Sequence, residues 1–369
     1  MTTPPPKVFP GLSALQDRSL SFWKPILLLP TTPAKIARRH RFAKDLQKKI
    51  QTWRPHFVLN SAHVAVVLTV PLDALEQNGW LSFQDHTPIA LERKLNDLLS
   101  LVKHFLQGSA AALQSGVTSH SSAEDALRRR SDRDACAVTG TKDPNICHII
   151  PFAWNDTQVA IERTMSVIDG CHGLFSLRWI EEYGPLLARC GSPGSSDKAW
   201  NMLCLNKQLW SLWSKGYFSF QWLGTAAFPN DASMKTVTLQ FNWMVRDKRN
   251  PLRAMNLHGE NNDFMEMVER VGEFQTEGNP AQVPGIEMSV KSGDIIYIEI
   301  PSARSGRFVA MMNFHWSCVK IAGMSGAANS PEFLPDHADW NEVDRALITE
   351  DWLAEQAQEV ISLSDTSLF

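Results

Sequence analysis

Two short stretches of this 369-residue chain hold the side chains best equipped for chemistry. One is Cys136-Ala-Val-Thr-Gly140 with Cys147-His148-Ile149-Ile150-Pro151-Phe152, and the other is Asn201-Met202-Leu203-Cys204-Leu205. His148 can move a proton near neutral pH, and the same ring can instead hydrogen-bond a backbone carbonyl and hold a turn. Asn201 carries both donors and an acceptor, which suits it to tying a neighbouring loop. Gln208 is the third polar group placed to share a cleft with these two, with Asn242 and His315 further out. Cys136, Cys147 and His148 would supply three ligands of a structural zinc, but no fourth is evident, so buried thiols packing a small core are the better reading.

The elements that must position these groups are short. Residues Val138 to Phe152 read as two β-like runs joined by a turn and closing on His148, and a helix follows Asn201. Ser121-Ser-Ala-Glu124 is a capping-box pattern that opens a helix from Glu124 to Arg133 and leads into Cys136. Arg163 to Trp179 reads as helical, and the Gly/Ser-rich segment Cys190 to Ser196 as a mobile loop ahead of Asn201.

In this order the motifs resemble the fungal HNH endonuclease-like proteins, whose signature is similar to C-x-x-T-G, C-H-I-x-P-F, N-x-x-x-L, L-H-x-x-W and a later F. The resemblance spans residues 124 to 328. It implies an α+β fold with a ββα-metal (HNH-like) core embedded in a larger mixed domain that has an N-terminal helical lobe. In such a nuclease a divalent ion stabilises charge on the scissile phosphate, and the His at the position of His148 takes a proton from the attacking water. The Asn at the position of Asn201 ties the loop that carries this base. Two departures stand out. The neighbour of His148 is Cys147, which fungal members of the family carry, and the helical His position holds Trp210. Indole has no lone pair for a metal and a thiol offers little to a hard ion, so the resemblance implies a dismantled metal site and no cofactor.

Tryptophan is abundant, 13 residues against 3 tyrosines. Trp210 should project into the old catalytic cleft, and Trp154, Trp213 and Trp243 join it as an expected apolar substrate wall, although core packing is the first reading of Trp213 and Trp243. Aromatics also stack on single-stranded bases, but no basic track accompanies them.

Lys35 to Thr52 reads as an amphipathic helix, and Val64 to Val70 as a strand by its β-branched content, with a buried helix permitted. Thr87-Pro88 caps a further helix that Gly108 should stop. Val237 to Arg246 alternates as a half-buried strand, and Asp294 to Ile300 is another. The expected organisation is a disordered Pro-rich segment 1–10, a mostly helical region 11–120, an HNH-like domain 121–330 and an acidic helical tail 331–369. A net charge of −3 argues against a large phosphate-binding face and ranks nucleic acid below a small apolar partner. Six cysteines without C-x-x-C spacing point to reduced thiols, and with no signal peptide or membrane span to an intracellular, cytoplasmic protein.

Three function classes follow. The first in rank is a cofactor-free, metal-independent enzyme acting on an apolar small molecule by isomerisation, cyclisation or a Diels-Alder type step in fungal secondary metabolism, with His148, Asn201 and Gln208 as its polar groups. The alternatives are a metal-dependent endonuclease using unexpected ligands (Asp143, Asn145, Asp156 or Asp197) and a non-catalytic binding protein.

Overall fold

The computed structural model describes residues 23–29, 32–115, 122–188, 193–229, 231–260, 262–277 and 290–336. The Pro-rich start and the acidic tail beyond residue 336 lie outside them. The chain folds as α+β, and one continuous apolar core joins Leu46 and Leu99 from the N-terminal region to Trp154, Phe220 and Phe314.

Helix α1 (Pro33–Gln51) begins where Thr32 caps it and Pro33 supplies a preset φ. Helix α2 (Ser61–Thr69) corrects the strand expected over Val64–Val70. Asn60 and His63 form a reciprocal capping pair at its start, and residues 61–68 are all buried, so no exposed face marks the helical period. Helix α3 (Pro88–Ser115) runs through Gly108 instead of stopping there. Gly108 serves as a close-approach point: a Cβ at this position would lie 2.8 Å from Pro151 Cβ and 3.1 Å from Trp154 Cδ1. Gly108→Val is therefore expected to destabilise the protein by about 1–3 kcal/mol through overpacking, read as a lower urea midpoint at unchanged m-value.

Helix α4 (Ser122–Ser131) leads into strand β1 (Asn145–His148), and helices α5 (Gln158–Val167) and α6 (Leu177–Leu187) fill the insert expected to be helical. Strand β2 (Met202–Leu205) then pairs antiparallel with β1, in the register His148 opposite Met202 and Asn145 opposite Leu205. This corrects the expected ββ pairing within residues 138–152. The first run forms no strand: Gly140, at φ 72°, donates to Cys136 O within a turn, Ala135 and Lys142 make an isolated antiparallel bridge, and Ala137 donates to Cys204 O on β2. Asn201 ends a 3-10 turn, Ala199–Asn201, directly before β2.

Helix α7 (Lys207–Ser214) follows, capped by Asn206, whose side chain accepts from Leu209 N at 2.8 Å. Strands β3 (Phe218–Phe228), β4 (Asp231–Trp243) and, after helix α8 (Asp263–Glu277), β5 (Ile295–Pro301) form an antiparallel sheet in the order β3-β4-β5. The later half of β4 is buried on both faces, not one. Gln240 explains the second face, because its amide bonds the backbone of residues 23, 24 and 26. Helix α9 (Ser302–Ser325) runs through the middle and packs on α2, β3 and β4.

Candidate functional site

His148 is the last residue of β1, and its ring stands at the edge of the two-stranded ladder with its side chain 10% exposed. Three features fix it. Trp213 on α7 donates its indole N–H to His148 O at 3.2 Å. The ring stacks on Phe152 with centroids 5.4 Å apart. Its Nε2 lies 3.1 Å from Asp197 Oδ1, a carboxylate that is itself 9% exposed.

Asp197 comes from the Gly/Ser-rich loop, and the described part of that loop is held at both ends. Gly194 N donates to Asn155 O at 2.6 Å, and the buried Asn155 side chain bonds Ser195 Oγ and Ser196 Oγ. On the far side, Ala199 N donates to Glu124 Oε2 at 2.9 Å, and that oxygen also accepts from Arg304. Within the loop expected over Cys190–Ser196, residues 194–196 are thus hydrogen-bonded to Asn155; residues 189–192 lie outside the described chain.

Asn201 is fully buried and ties the segment after His148 to this loop. Its Oδ1 accepts from Ile150 N at 2.8 Å, and its Nδ2 donates to Ile150 O at 3.0 Å and Ser196 O at 3.2 Å. It binds the loops on either side of the dyad, and nothing in this geometry gives it a reacting atom. Asn201→Ala leaves three buried backbone groups without a partner and should cost about 2–3 kcal/mol of stability, measurable by urea unfolding.

The other expected site residues divide. Gln208 is exposed on the first turn of α7 and makes no contact with His148 among the described hydrogen bonds. Trp154 is buried in the core, stacked on His104 and donating to His104 O. Trp243 is buried, with its indole N–H on Val290 O. Trp213 stacks face to face on His315 at 3.6 Å. Each of these indoles therefore has a packing role. Trp210 alone of the four is half-buried, although it too packs against the core. His315 is buried, bonds Ser219 Oγ at 2.7 Å, and is driven to its neutral form by desolvation. Asn242 is buried and donates to Gln240 O.

Asp197, which the motif reading names only among the substitute ligands of a metal-dependent nuclease, thus meets His148. The only sequence signal for Asp197 was an acid within a turn-forming loop shortly before Asn201.

The thiol next to His148 in sequence is turned away from this site. Cys147 donates its thiol to Leu203 O at 3.2 Å, and burial pushes its pKa well above the ordinary thiol value. Cys147, Cys171, Cys204 and Cys318 form no disulfide and are buried, and Cys136 is buried as well. An imidazole next to a carboxylate, with a hydrogen bond between them, is an arrangement for proton transfer: the carboxylate fixes the ring tautomer and stabilises the imidazolium that forms.

The HNH endonuclease family model matches residues 136–221, the inner part of the span over which the motifs show their resemblance. Neither the comparison with curated proteins nor that with solved structures gives a match. The family implies a divalent ion. Beside His148 stands a thiol committed to a carbonyl, and the helical position holds an indole. Among the described residues no group of three or more His, Cys, Asp or Glu side chains is placed to share an ion. Cys147 and Trp210, at two of the family's ligand positions, supply no hard oxygen donor.

Proposed function

We propose that the HNH endonuclease-type domain at residues 136–221 acts on phosphodiester bonds of nucleic acid, with His148 as general base and Asp197 as the residue that orients it. The observation that carries this reading is the 3.1 Å contact between His148 Nε2 and Asp197 Oδ1 at the motif's base position. In the tautomer that donates Nε2–H to Asp197, Nδ1 is the basic nitrogen and takes the proton of the attacking water. Asp197 then stabilises the positive ring, and Trp213 keeps the strand end in place.

The matched segment carries seven basic and seven acidic side chains, so counterion release contributes little and binding should be weak and only mildly salt-dependent. The test is cleavage of single- and double-stranded DNA and RNA by the full chain, with and without Mg²⁺, Mn²⁺ and chelator. Cleavage that survives chelator and disappears in His148→Ala supports the reading. Cleavage wholly dependent on added ion contradicts the donor-set argument.

A second reading is favoured by one observation, the half-buried Trp210 at the position of a metal-binding histidine. An indole face excludes water and suits a flat apolar framework, so the same dyad would transfer a proton in the isomerisation or cyclisation of a small molecule. Trp210→Ala separates the two: it should leave phosphodiester cleavage within a few-fold of wild type, whereas it would abolish turnover of an apolar substrate.

A further inference from the structure

A second cluster of charged groups lies away from the dyad, in a cavity of about 390 Å³ between α3 and the 3-10 turn Ile168–Gly173. Trp80, Arg93, Lys94, Asp97, Asp169 and His172 line it. Close packing builds it: a Cβ on Gly170 would lie 2.6 Å from Asp97 O, and one on Gly173 would lie 2.6 Å from Trp80 Cζ3. The turn thus presents Asp169 and His172 opposite the charged face of the helix.

Asp97 has an unmet need within this cavity. The residue is 7% exposed, and its Oδ1 is buried without a hydrogen-bond partner among the described residues. Its Oδ2 lies 3.6 Å from Arg93 Nε, beyond an ordinary hydrogen bond. A buried, unsatisfied carboxylate oxygen is costly, and a donor brought by a ligand would remove that cost. The positive side is under-solvated as well. Lys94 Nζ sits 5.6 Å above the Trp80 ring and 2.8 Å from His86 Nε2.

We propose that this cavity binds a small zwitterionic ligand of the amino-acid type, with its ammonium on Asp97 and Asp169, its carboxylate on Arg93 and Lys94, and its side group against Trp80. The charge pattern selects the class. An anion alone would face the two carboxylates and leave Asp97 Oδ1 unmet, and a cation alone would face Arg93 and Lys94. A zwitterion satisfies both signs at once. The volume falls in the range of small-molecule sites. Burial raises the Asp97 carboxyl to about 6 against the opposing pull of Arg93, and lowers the Lys94 ammonium to about 8 against that of Asp97. None of the residues that line the cavity belongs to the His148–Asp197 dyad.

The experiment is titration calorimetry and thermal shift on the full chain, with each proteinogenic L-amino acid at millimolar concentration. One of them, or a chemically related group, should bind saturably and raise the melting midpoint. For the best binder, the analogues lacking the amine or lacking the carboxylate should each bind at least about tenfold more weakly, the loss expected when a charged hydrogen bond goes unmade. Asp97→Asn should lose affinity to a similar extent. Arg93→Gln, at a side chain 46% exposed and so of low folding risk, should weaken binding of the full amino acid but not of the analogue lacking the carboxylate. The proposal is overturned if no amino acid binds saturably, if the analogue without the amine binds as tightly as its parent, or if Arg93→Gln leaves binding unchanged.

Discussion

Asp132→Ala is expected to destabilise the protein by about 3–5 kcal/mol, because it strands a buried cation. Arg128 is 1% exposed and Asp132 is 8% exposed, and they pair across one turn at the end of α4, with Arg128 Nε donating to Asp132 Oδ2 at 2.9 Å. The same carboxylate oxygen accepts from Cys204 N at 3.0 Å, which fastens α4 to β2 of the two-stranded ladder. Removing the carboxylate leaves both a guanidinium and a backbone amide unmet. Equilibrium urea unfolding measures the loss. The double variant Arg128→Met, Asp132→Leu should recover much of it, since no unpaired charge remains, and would fall short of wild type by about the cost of one unmet amide. A loss below about 1 kcal/mol for the single variant would mean that water reaches Arg128.

The other large effect falls on activity. His148→Ala should lower the rate of phosphodiester cleavage by roughly 10²–10⁴-fold, the usual worth of a positioned general base. Its effect on stability should be small, since the neighbouring Ile150 is held by Asn201 and the strand by its pairing with β2. Asp197→Asn keeps an acceptor beside the ring but removes its charge, and should cost roughly 10–100-fold, the difference between a charge-assisted and a neutral hydrogen bond.

Much of this architecture was legible because period and punctuation agree. Pro33 after Thr32 and Pro88 after Thr87 mark helix starts by fixed chemistry, and the alternation Val237, Leu239, Phe241 and Trp243 identifies β4. The segment 61–68 was not legible in the same way. When every side chain is buried, period carries no information, and β-branched content points to the wrong element. Gly108 was read as a stop, yet it is the contact where α3 meets Pro151 and Trp154, a role visible only in three dimensions.

At the site, the motif residues His148 and Asn201 were readable from spacing, whereas the partner of His148 was not. Asp197 reaches the imidazole because Asn155 and Glu124 hold its loop, and neither residue advertises that function locally. Of the tryptophans, Trp213 and Trp243 pack as their first reading had it, and Trp154 joins them: the indole N–H of Trp154 meets His104 O, that of Trp243 meets Val290 O, and that of Trp213 meets His148 O beside the dyad.

The most direct test of the His148–Asp197 assignment is the initial rate of cleavage of one labelled oligonucleotide by wild type, Asp197→Asn and His148→Ala, each confirmed folded by its unfolding midpoint. The dyad requires a graded series: wild type fastest, Asp197→Asn slower by roughly 10–100-fold, and His148→Ala slower still. Equal rates for all three proteins, or no cleavage by wild type of any DNA or RNA substrate, would contradict it.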